Sequence, residues 1–451
     1  MSSAWFRMVW RPFFLPGLVS VLCGLTLVLY GVLTPEGRWQ GDEYAIGEAI
    51  RATGFHVATT RILSWSPRPV GEVLGVLYLR VVDWLGTPLV APFLLLLWGS
   101  GLLALYWAAR TARQSSPLLV AVAVLAMSLL LAGQAQMFYW PMAAASYVPC
   151  WAALGAMSLL CRQEMTDRPW TVACVLVIAA WSQEAGALTV AAFSLCMMVF
   201  HVRRRPRMAL VMVLPLLASL FVLYTGATHR LGSRGDVLDS SSGLGGHWIA
   251  CIVHAVPLFL RELVSVPDMP LWIGVPAKLL LLVALVRVGA GRFPSPQAWL
   301  WSLALLASAY GTIVLSCYEF GFLCCERHMN FRAAQYLFVV LVLGQGFGAA
   351  RQERVRFAAM SLALSLLLVG RLPALHHDMA LWGRVLGAQG TSWEEGRSSA
   401  PSMTLRMPPP GRITNGIAFP TGSFDRAQAP WWGMAVLNYF HKEHVTFVQE
   451  Q

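Results

Sequence analysis

Apolar runs long enough to cross a lipid bilayer recur about eleven times in this chain, and no other feature restricts its fold as strongly. The 451 residues are 57% hydrophobic and only 12% charged, with a mean hydropathy of +0.60. Soluble globular chains carry about twice that share of charged residues. Because backbone polar groups in hydrocarbon must be satisfied within each spanning segment, we predict an all-α polytopic membrane protein.

Arginines concentrate in alternate loops between the predicted spans. Arg7 and Arg11 precede the first span, and residues 203–205 are three consecutive arginines in a later loop. The positive-inside rule then places the N-terminus in the cytoplasm, and an odd number of spans places the C-terminus outside. The spans are predicted at 14–33, 88–109, 116–133, 143–162, 169–182, 185–202, 208–226, 270–290, 297–317, 333–350 and 355–371.

Two further apolar segments, 70–85 and 247–265, carry both acidic and basic residues, so we expect interfacial helices on the outer side rather than spans. From residue 372 the long apolar runs stop, and Pro, Gly and Ser become frequent. The sequence therefore predicts a transmembrane domain over 1–371, with a first outer loop at about 34–87, and a small extracytoplasmic C-terminal region over 372–451.

The net charge of +11 does not indicate a nucleic-acid partner, because the basic residues are dispersed over short loops rather than gathered in one patch. The nine cysteines show no metal-ligand spacing. Cys317, Cys324 and Cys325 lie near one predicted outer loop, where an oxidising compartment would allow a disulfide. The run 376–378 (His-His-Asp) resembles part of a metal site but lacks a third ligand at a fixed spacing, which favours a polar loop.

An acidic pair follows the first span, in the stretch Gly41-Asp42-Glu43-Tyr44. Two carboxylates at a membrane surface are often no more than solvated loop acids. Arg61, Arg68 and Glu72 follow in the same segment, and polar residues return to the same predicted side in later loops. These charged and polar residues favour a shared outer site around the acidic pair.

Later polar stretches supply the other candidates. Glu184 lies in a connection so short that its carboxylate must be at the interface, where a charge is costly unless it is paired or lines a wet cavity. It is either paired with an arginine or binds an acceptor or a metal. Gln183 precedes it, and Gln134 and Gln136 lie in an earlier loop on the same predicted side.

The stretch 326–332 leads into a predicted span and contains Arg327, His328 and Arg332. A guanidinium fork suits a lipid phosphate, although headgroup anchoring of the helix end is the simpler alternative. Tyr139, Trp140 and Tyr147 cluster at another outer helix end, where aromatic residues form either the membrane-interface belt or a surface for stacking sugar rings.

The order of these segments resembles the GT-C superfamily of membrane glycosyltransferases. It combines a first span, an outer loop with an acidic pair, an interfacial helix, many further spans and an outer C-terminal part. The runs 66–72 (Ser-Pro-Arg-Pro-Val-Gly-Glu), 138–140, 147–149 and 182–184 are similar to bacterial members that use polyprenyl-phosphate sugars. These include O-antigen glucosyltransferases, the lipid A aminoarabinose transferase and protein O-mannosyltransferases.

The resemblance implies an inverting transfer from a polyprenyl-phosphate-linked sugar to a hydroxyl of a glycan or glycolipid acceptor, in a bacterial inner membrane. Asp42 would be the general base, with Glu43 as the alternative. Metal dependence stays open, with Mg, Mn or Ca as the candidates. The cationic candidates for binding the donor phosphate are Arg61, Arg68, Arg327, His328 and Arg332. The candidates for binding acceptor or sugar are Tyr139, Trp140, Tyr147, Gln183 and Glu184.

Two other classes remain open at this point. An O-antigen ligase or polymerase also uses outer arginines on a lipid pyrophosphate, but it usually concentrates polar residues in one late loop. A lipid-linked saccharide transporter would place ionisable residues near mid-membrane, where Glu184 is almost the only candidate. The early acidic pair favours the transferase. We further expect the C-terminal region to cap the outer cavity.

Overall fold

The computed structural model describes residues 14–133, 135–161, 168–232, 247–285, 295–323, 325–344, 353–414 and 421–450. It is 79% helical. The first helices are α1 (Phe14–Val32), α2 (Gly41–Thr53), α3 (His56–Ser64), α4 (Pro69–Leu85), α5 (Val90–Thr111), α6 (Pro117–Leu131), α7 (Gln136–Tyr139), α8 (Pro141–Leu160) and α9 (Pro169–Ser182). They continue with α10 (Glu184–His201), α11 (Pro206–Val211), α12 (Val213–Gly232), α13 (Trp248–Val264), α14 (Leu271–Leu285), α15 (Pro296–Phe320), α16 (Glu326–Gly344) and α17 (Glu353–Arg397).

Seven helices among the described residues are long and apolar enough to cross a membrane, which indicates a membrane protein. They are Leu15–Glu36, Val90–Thr111, Pro141–Leu160, Glu184–His201, Pro206–Thr228, Pro296–Phe320 and Val355–Arg397. Three more predicted spans form shorter apolar helices, α6, α9 and α14. Residues 333–344 of the span predicted at 333–350 belong to α16, which begins seven residues earlier with charged residues, and the rest of this span falls outside the described residues. The count of eleven spans stays a prediction.

Helix α8 lies at the centre of the bundle, with 94% of its apolar stretch buried. Its polar and aromatic groups are satisfied from neighbouring helices: the indole of Trp151 donates to Ser128 Oγ at 2.9 Å. Helix α4 packs closely against α8 at Gly71, where an added Cβ would lie 2.1 Å from Ser146 Oγ. The segments predicted as interfacial helices are the helices α4 and α13.

The structure differs from the predicted boundary at residue 372, because α17 runs without a break through it to Arg397. The apolar half of this 45-residue helix ends near the predicted point, but polar residues such as His376 and Asp378 do not by themselves stop a helix. Asp378 is buried and accepts bonds from the backbone N–H groups of Arg412, Ile413 and Thr414 at 2.6, 2.8 and 3.0 Å. Residues 376–378 thus lie in a helix and not in the predicted polar loop, and Asp378 fixes a following segment to this helix.

Beyond α17 the chain forms a small α/β unit, which the all-helical prediction did not include. Its elements are β1 (Ser402–Met407), β2 (Gly422–Asp425), α18 (Trp431–Phe440) and β3 (His444–Gln449). The strand order is β1-β3-β2, with β1 parallel and β2 antiparallel to β3. Short strands with alternating buried residues, as in β1, are easily missed beside long membrane runs.

Helix α2 is held between the bundle and this C-terminal unit. Tyr44 belongs to the apolar core of the unit, and Trp39 makes edge contacts with Tyr44, Trp393 and Tyr439 at centroid distances of 5.1–5.3 Å. An added Cβ at Gly41 would lie 2.7 Å from the ring of Trp431. The C-terminal unit therefore fixes the position of the helix that carries the acidic pair.

Candidate functional site

A cavity of about 440 Å³ lies at one end of the bundle, between the start of α2, the α3–α4 connection, the start of α8, the α9–α10 junction, the end of α15 and the start of α16. It brings together segments more than 280 residues apart in the chain. Nine of the twelve predicted site residues line it: Asp42, Arg61, Arg68, Trp140, Tyr147, Gln183, Glu184, Arg327 and His328. No described residue of the C-terminal region lines it, and this region contacts α2, which carries Asp42.

Glu43, the alternative base, lies outside the cavity. It is fully buried, and its carboxylate accepts bonds from the backbone N–H groups of Gln40 at 2.8 Å and Met142 at 3.2 Å. With the side chain of Gln40 it forms a capping box at the start of α2. Burial raises the pKa of Glu43 to about 8, and its two backbone bonds only partly oppose the shift. Glu43 therefore anchors α2 to α8.

Tyr139 and Arg332 are the other two predicted site residues that the structure places elsewhere. The Tyr139 hydroxyl donates to Tyr30 O at 2.7 Å in the bundle core. Arg332 is 1% exposed and forms a two-pronged ion pair with Glu262 of α13, at 2.8 and 2.7 Å. Arg332 lies one helix turn further along α16 than His328 on the same face, and at that position it pairs with Glu262 of α13 and does not line the cavity.

The connection between α3 and α4 sets the position of Arg68. The sequence Ser66-Pro67-Arg68-Pro69 holds Arg68 outside the helical conformation, at φ −120° and ψ 72°, because a residue before proline is kept out of the helical region. Pro69 then begins α4 at its first position, where no backbone donor is needed. Glu72 follows in the first turn of α4, where the helix dipole favours an acid.

Two of the arginines in the cavity are already paired. Arg61 donates to both oxygens of Glu72, at 2.7 and 3.3 Å. Arg68 donates from Nε to Glu184 Oε2 at 2.7 Å, and burial lowers its pKa while the charge of Glu184 outweighs that effect and raises it above the ordinary value. Glu184 thus takes the structural alternative raised by the sequence. Both guanidinium groups are held in place at the cavity wall.

Asp42 differs from the other carboxylates that line the cavity. It is half-buried and forms no ion pair or side-chain hydrogen bond with any residue that the structure describes. Burial raises the pKa of Asp42, and the nearby charges of Arg61 and Arg327 oppose this without cancelling it. The result is an accessible carboxylate that is more basic than an ordinary aspartate.

Arg327 is the cationic counterpart of Asp42 in the cavity. Within the described ranges it has no acidic partner, and its guanidinium carbon lies 4.9 Å from the centroid of the Trp140 ring. This cation–π contact orients the guanidinium without using its hydrogen-bond donors. The face of Trp140 that could stack a sugar is thereby occupied by Arg327 in this state.

Tyr147, Gln183 and His328 form a chain of hydrogen bonds at the cavity wall. The Tyr147 hydroxyl lies 3.1 Å from His328 Nδ1 and 3.2 Å from Gln183 Nε2. His328 lies in the first turn of α16, before the predicted span. Burial and the nearby charges of Arg327, Arg332 and Arg68 lower the pKa of His328 well below its usual range, so the imidazole is neutral.

None of the predicted site residues comes from α15, which forms one side of the cavity. Thr312, Ser316 and Glu319 line it from the last turns of that helix. Their spacing of four and three residues makes one polar stripe at the end of an apolar helix, and this signal could have identified them. Of the cysteines beside this stripe, Cys317 is a free thiol and Cys325 is disulfide-bonded. Cys324 falls outside the described residues, and so do Gln134 and most of the polar loop 227–246.

The carboxylates of the cavity do not fit a divalent cation. Across the described ranges, no group of three His, Cys, Asp or Glu side chains is placed to hold a metal ion. Glu72 and Glu184 are each engaged by an arginine, and Glu319 on α15 has an interaction of its own. We therefore assign no step of the chemistry below to a metal.

Comparisons with protein-family models, with curated proteins and with solved structures find no match to this chain.

Proposed function

We propose that the protein is an inverting membrane glycosyltransferase that moves a sugar from a polyprenyl-phosphate donor to an acceptor hydroxyl, with the cavity as its active site. The observation that carries the proposal is that one cavity brings together an accessible carboxylate, Asp42, and a cluster of arginines, and that neither Asp42 nor Arg327 forms an ion pair with any residue that the structure describes. The first group suits proton removal, and the second suits an anionic leaving group.

The reaction assigns one role to each side of the cavity. The acceptor oxygen attacks C1 of the sugar and gives its proton to the Asp42 carboxylate, which acts as general base. The bond between C1 and the phosphate oxygen breaks, and its electron pair leaves with the polyprenyl phosphate. Attack opposite the leaving group inverts the configuration at C1.

The arginines stabilise the charge that gathers on the phosphate as this bond breaks. Arg61 and Arg68 are positioned before the donor arrives, because Glu72 and Glu184 hold their guanidinium groups. Arg327 donates no hydrogen bond to any described residue, so its N–H groups are open to the phosphate. Preorganised charges of this kind need no rearrangement during the reaction, which is the main source of their effect.

The proposal also accounts for the membrane setting. The cavity lies where several helices that are able to span a bilayer begin or end, so a lipid-linked donor can place its phosphate there while its apolar tail remains in hydrocarbon. We propose that this end faces the outer side of a bacterial inner membrane, in agreement with the distribution of arginines along the sequence.

The test is sugar transfer in membranes supplied with a panel of radiolabelled undecaprenyl-phosphate sugars. Wild type is compared with Asp42→Asn at matched expression, and Glu48→Gln serves as the control because Glu48 lies on the same helix but does not line the cavity. We expect Asp42→Asn to lower the transfer rate by about 10²–10⁴-fold, and Glu48→Gln to leave it unchanged.

Two results would contradict the proposal. Transfer by wild type from none of the donors would exclude this donor class. Full transfer by Asp42→Asn, with one donor active, would retain the transferase class but remove Asp42 as the base.

A further inference from the structure

The hydrogen bonds around Gln183 have a fixed direction. The Gln183 Oε1 atom accepts the backbone N–H of Ala185, as an N-cap side chain does at the start of α10. A backbone N–H can only donate, so the oxygen of the amide must be the atom that faces it. The amide nitrogen, which can only donate, therefore faces the Tyr147 hydroxyl at 3.2 Å.

This direction passes on to His328. Because the Tyr147 oxygen accepts from Gln183, its own proton is available to donate, and His328 Nδ1 at 3.1 Å is the acceptor that the structure provides among its described residues. An imidazole nitrogen that accepts carries no proton. Neutral His328 then carries its proton on Nε2.

We infer that the relay from Gln183 through Tyr147 locks His328 as an uncharged Nε2–H donor that contacts the phosphate of the sugar donor. This assignment rests on the proposed function, and it makes Tyr147 and Gln183 positioning residues, where the sequence had suggested contact with sugar. His328 lines the cavity beside Arg327. Its Nε2 atom has no partner among the described residues.

The chemistry of the ligand favours phosphate over a hydroxyl. A sugar hydroxyl both donates and accepts, so it would pair with either tautomer of the histidine and gain nothing from a locked one. The oxygens of a phosphate diester or dianion only accept. A ring nitrogen held as a donor therefore selects for phosphate, and it adds a directional bond to the charges of the arginines.

The tautomer can be measured without any substrate. Protein labelled with ¹⁵N-histidine is reconstituted in lipid bilayers and studied by solid-state NMR, and the signal of His328 is identified by its loss in His328→Gln. We expect the Nε2–H tautomer in wild type. Gln183→Glu replaces the donating amide with an isosteric acceptor, so the Tyr147 proton turns towards position 183 and His328 must donate from Nδ1. The Nδ1–H tautomer is expected in that variant.

Binding of undecaprenyl phosphate, the proposed leaving group, tests the role of the donor. We expect Gln183→Glu and His328→Leu to weaken binding about tenfold, and His328→Gln to restore most of it because its amide nitrogen can take the place of Nε2–H. Tyr147→Phe breaks the relay without introducing a charge and is expected to give a mixture of tautomers.

An Nδ1–H tautomer in wild type, or the same tautomer in wild type and Gln183→Glu, would overturn the relay. If the tautomers switch as expected but undecaprenyl phosphate binds all variants equally, the phosphate contact is wrong. If wild type does not bind undecaprenyl phosphate at all, the proposed donor class fails as well, whereas the tautomer measurement still reports on the relay itself.

Discussion

The Nε atom of Arg68 lies 2.7 Å from Oε2 of Glu184, although 116 residues separate the two along the chain. The pair joins the start of α4 to the start of α10. About a fifth of each side chain is exposed, at 20% and 17%, so the pair is screened less than a surface ion pair. It fixes the width of the cavity at this point.

We therefore expect Glu184→Gln to lower the free energy of unfolding by about 1–3 kcal/mol, because Arg68 is left partly buried without its counter-charge. The double variant Arg68→Gln/Glu184→Gln should recover part of this loss. The measurement is a double-mutant cycle on the apparent Tm in detergent, with the exposed pair Arg80 and Asp83 as the control cycle. Additive effects in the cycle at Arg68 and Glu184 would show that the two residues do not interact.

The pH dependence of transfer should report on Asp42. A general base acts when it is deprotonated, so the rate falls as the pH drops through its pKa. Burial raises that pKa and Arg327 lowers it, so the acid limb should lie above the ordinary range of an aspartate and should move to still higher pH in Arg327→Gln. Arg80→Gln, an exposed arginine of α4, is the matched control. An acid limb that Arg327→Gln leaves in place would exclude Asp42 as its source.

Glu43 should control stability rather than the chemical step. Its pKa is about 8 in the folded protein and about 4.5 when unfolded, so the folded state holds a proton that the unfolded state releases. The contribution of Glu43 to the free energy of unfolding is fully present below pH 4.5 and is lost as the pH rises towards 8. Measured Tm values should fall over this interval, and Glu43→Gln should flatten the fall while it retains transfer activity in the folded fraction. An unchanged slope would indicate that Glu43 is not the responsible group.

Close packing between α2 and the C-terminal unit gives a fourth prediction. An added Cβ at Gly47 would lie 2.7 Å from the Tyr439 ring, and the guanidinium carbon of Arg51 lies 4.1 Å from the centroid of the same ring. Gly47→Ala should therefore destabilise this contact by about 1–3 kcal/mol and increase cleavage of the C-terminal unit in limited proteolysis. Gly387→Ala, at a helix position with open space around it, is the control and should be neutral or stabilising. Equal protease resistance in both variants would contradict the close contact.

The sequence predicted the helical architecture and most of the candidate site, because hydropathy and clustered charges are local signals. Asp42, Arg61, Arg68 and Arg327 were found in this way, and the structure places them in one cavity. The same local signals could not distinguish the roles of two adjacent residues. Asp42 and Glu43 are adjacent and chemically alike, and the bond that joins Glu43 to Met142 N–H on α8 comes from a contact that no local pattern shows.

The sequence also could not show which residues far apart in the chain contact each other. Arg332 shares a predicted helix face with His328, but its partner Glu262 comes from α13, which no local pattern connects to it. The strands of the C-terminal unit were missed because β1 pairs with β3 in parallel across about 40 residues. The tertiary pairing, not the local composition, decides the structure there.

Helix α17 connects the C-terminal unit to the membrane bundle as one continuous element. Its 45 residues extend about 68 Å, and one end packs on α1 and α14 while the other carries β1. Pro373 lies inside this helix and lacks the N–H for a backbone hydrogen bond, so we expect a tilt of the unit relative to the bundle to bend the helix at that point. Since the unit also packs on α2, we expect a displacement of the unit to move Asp42 with it.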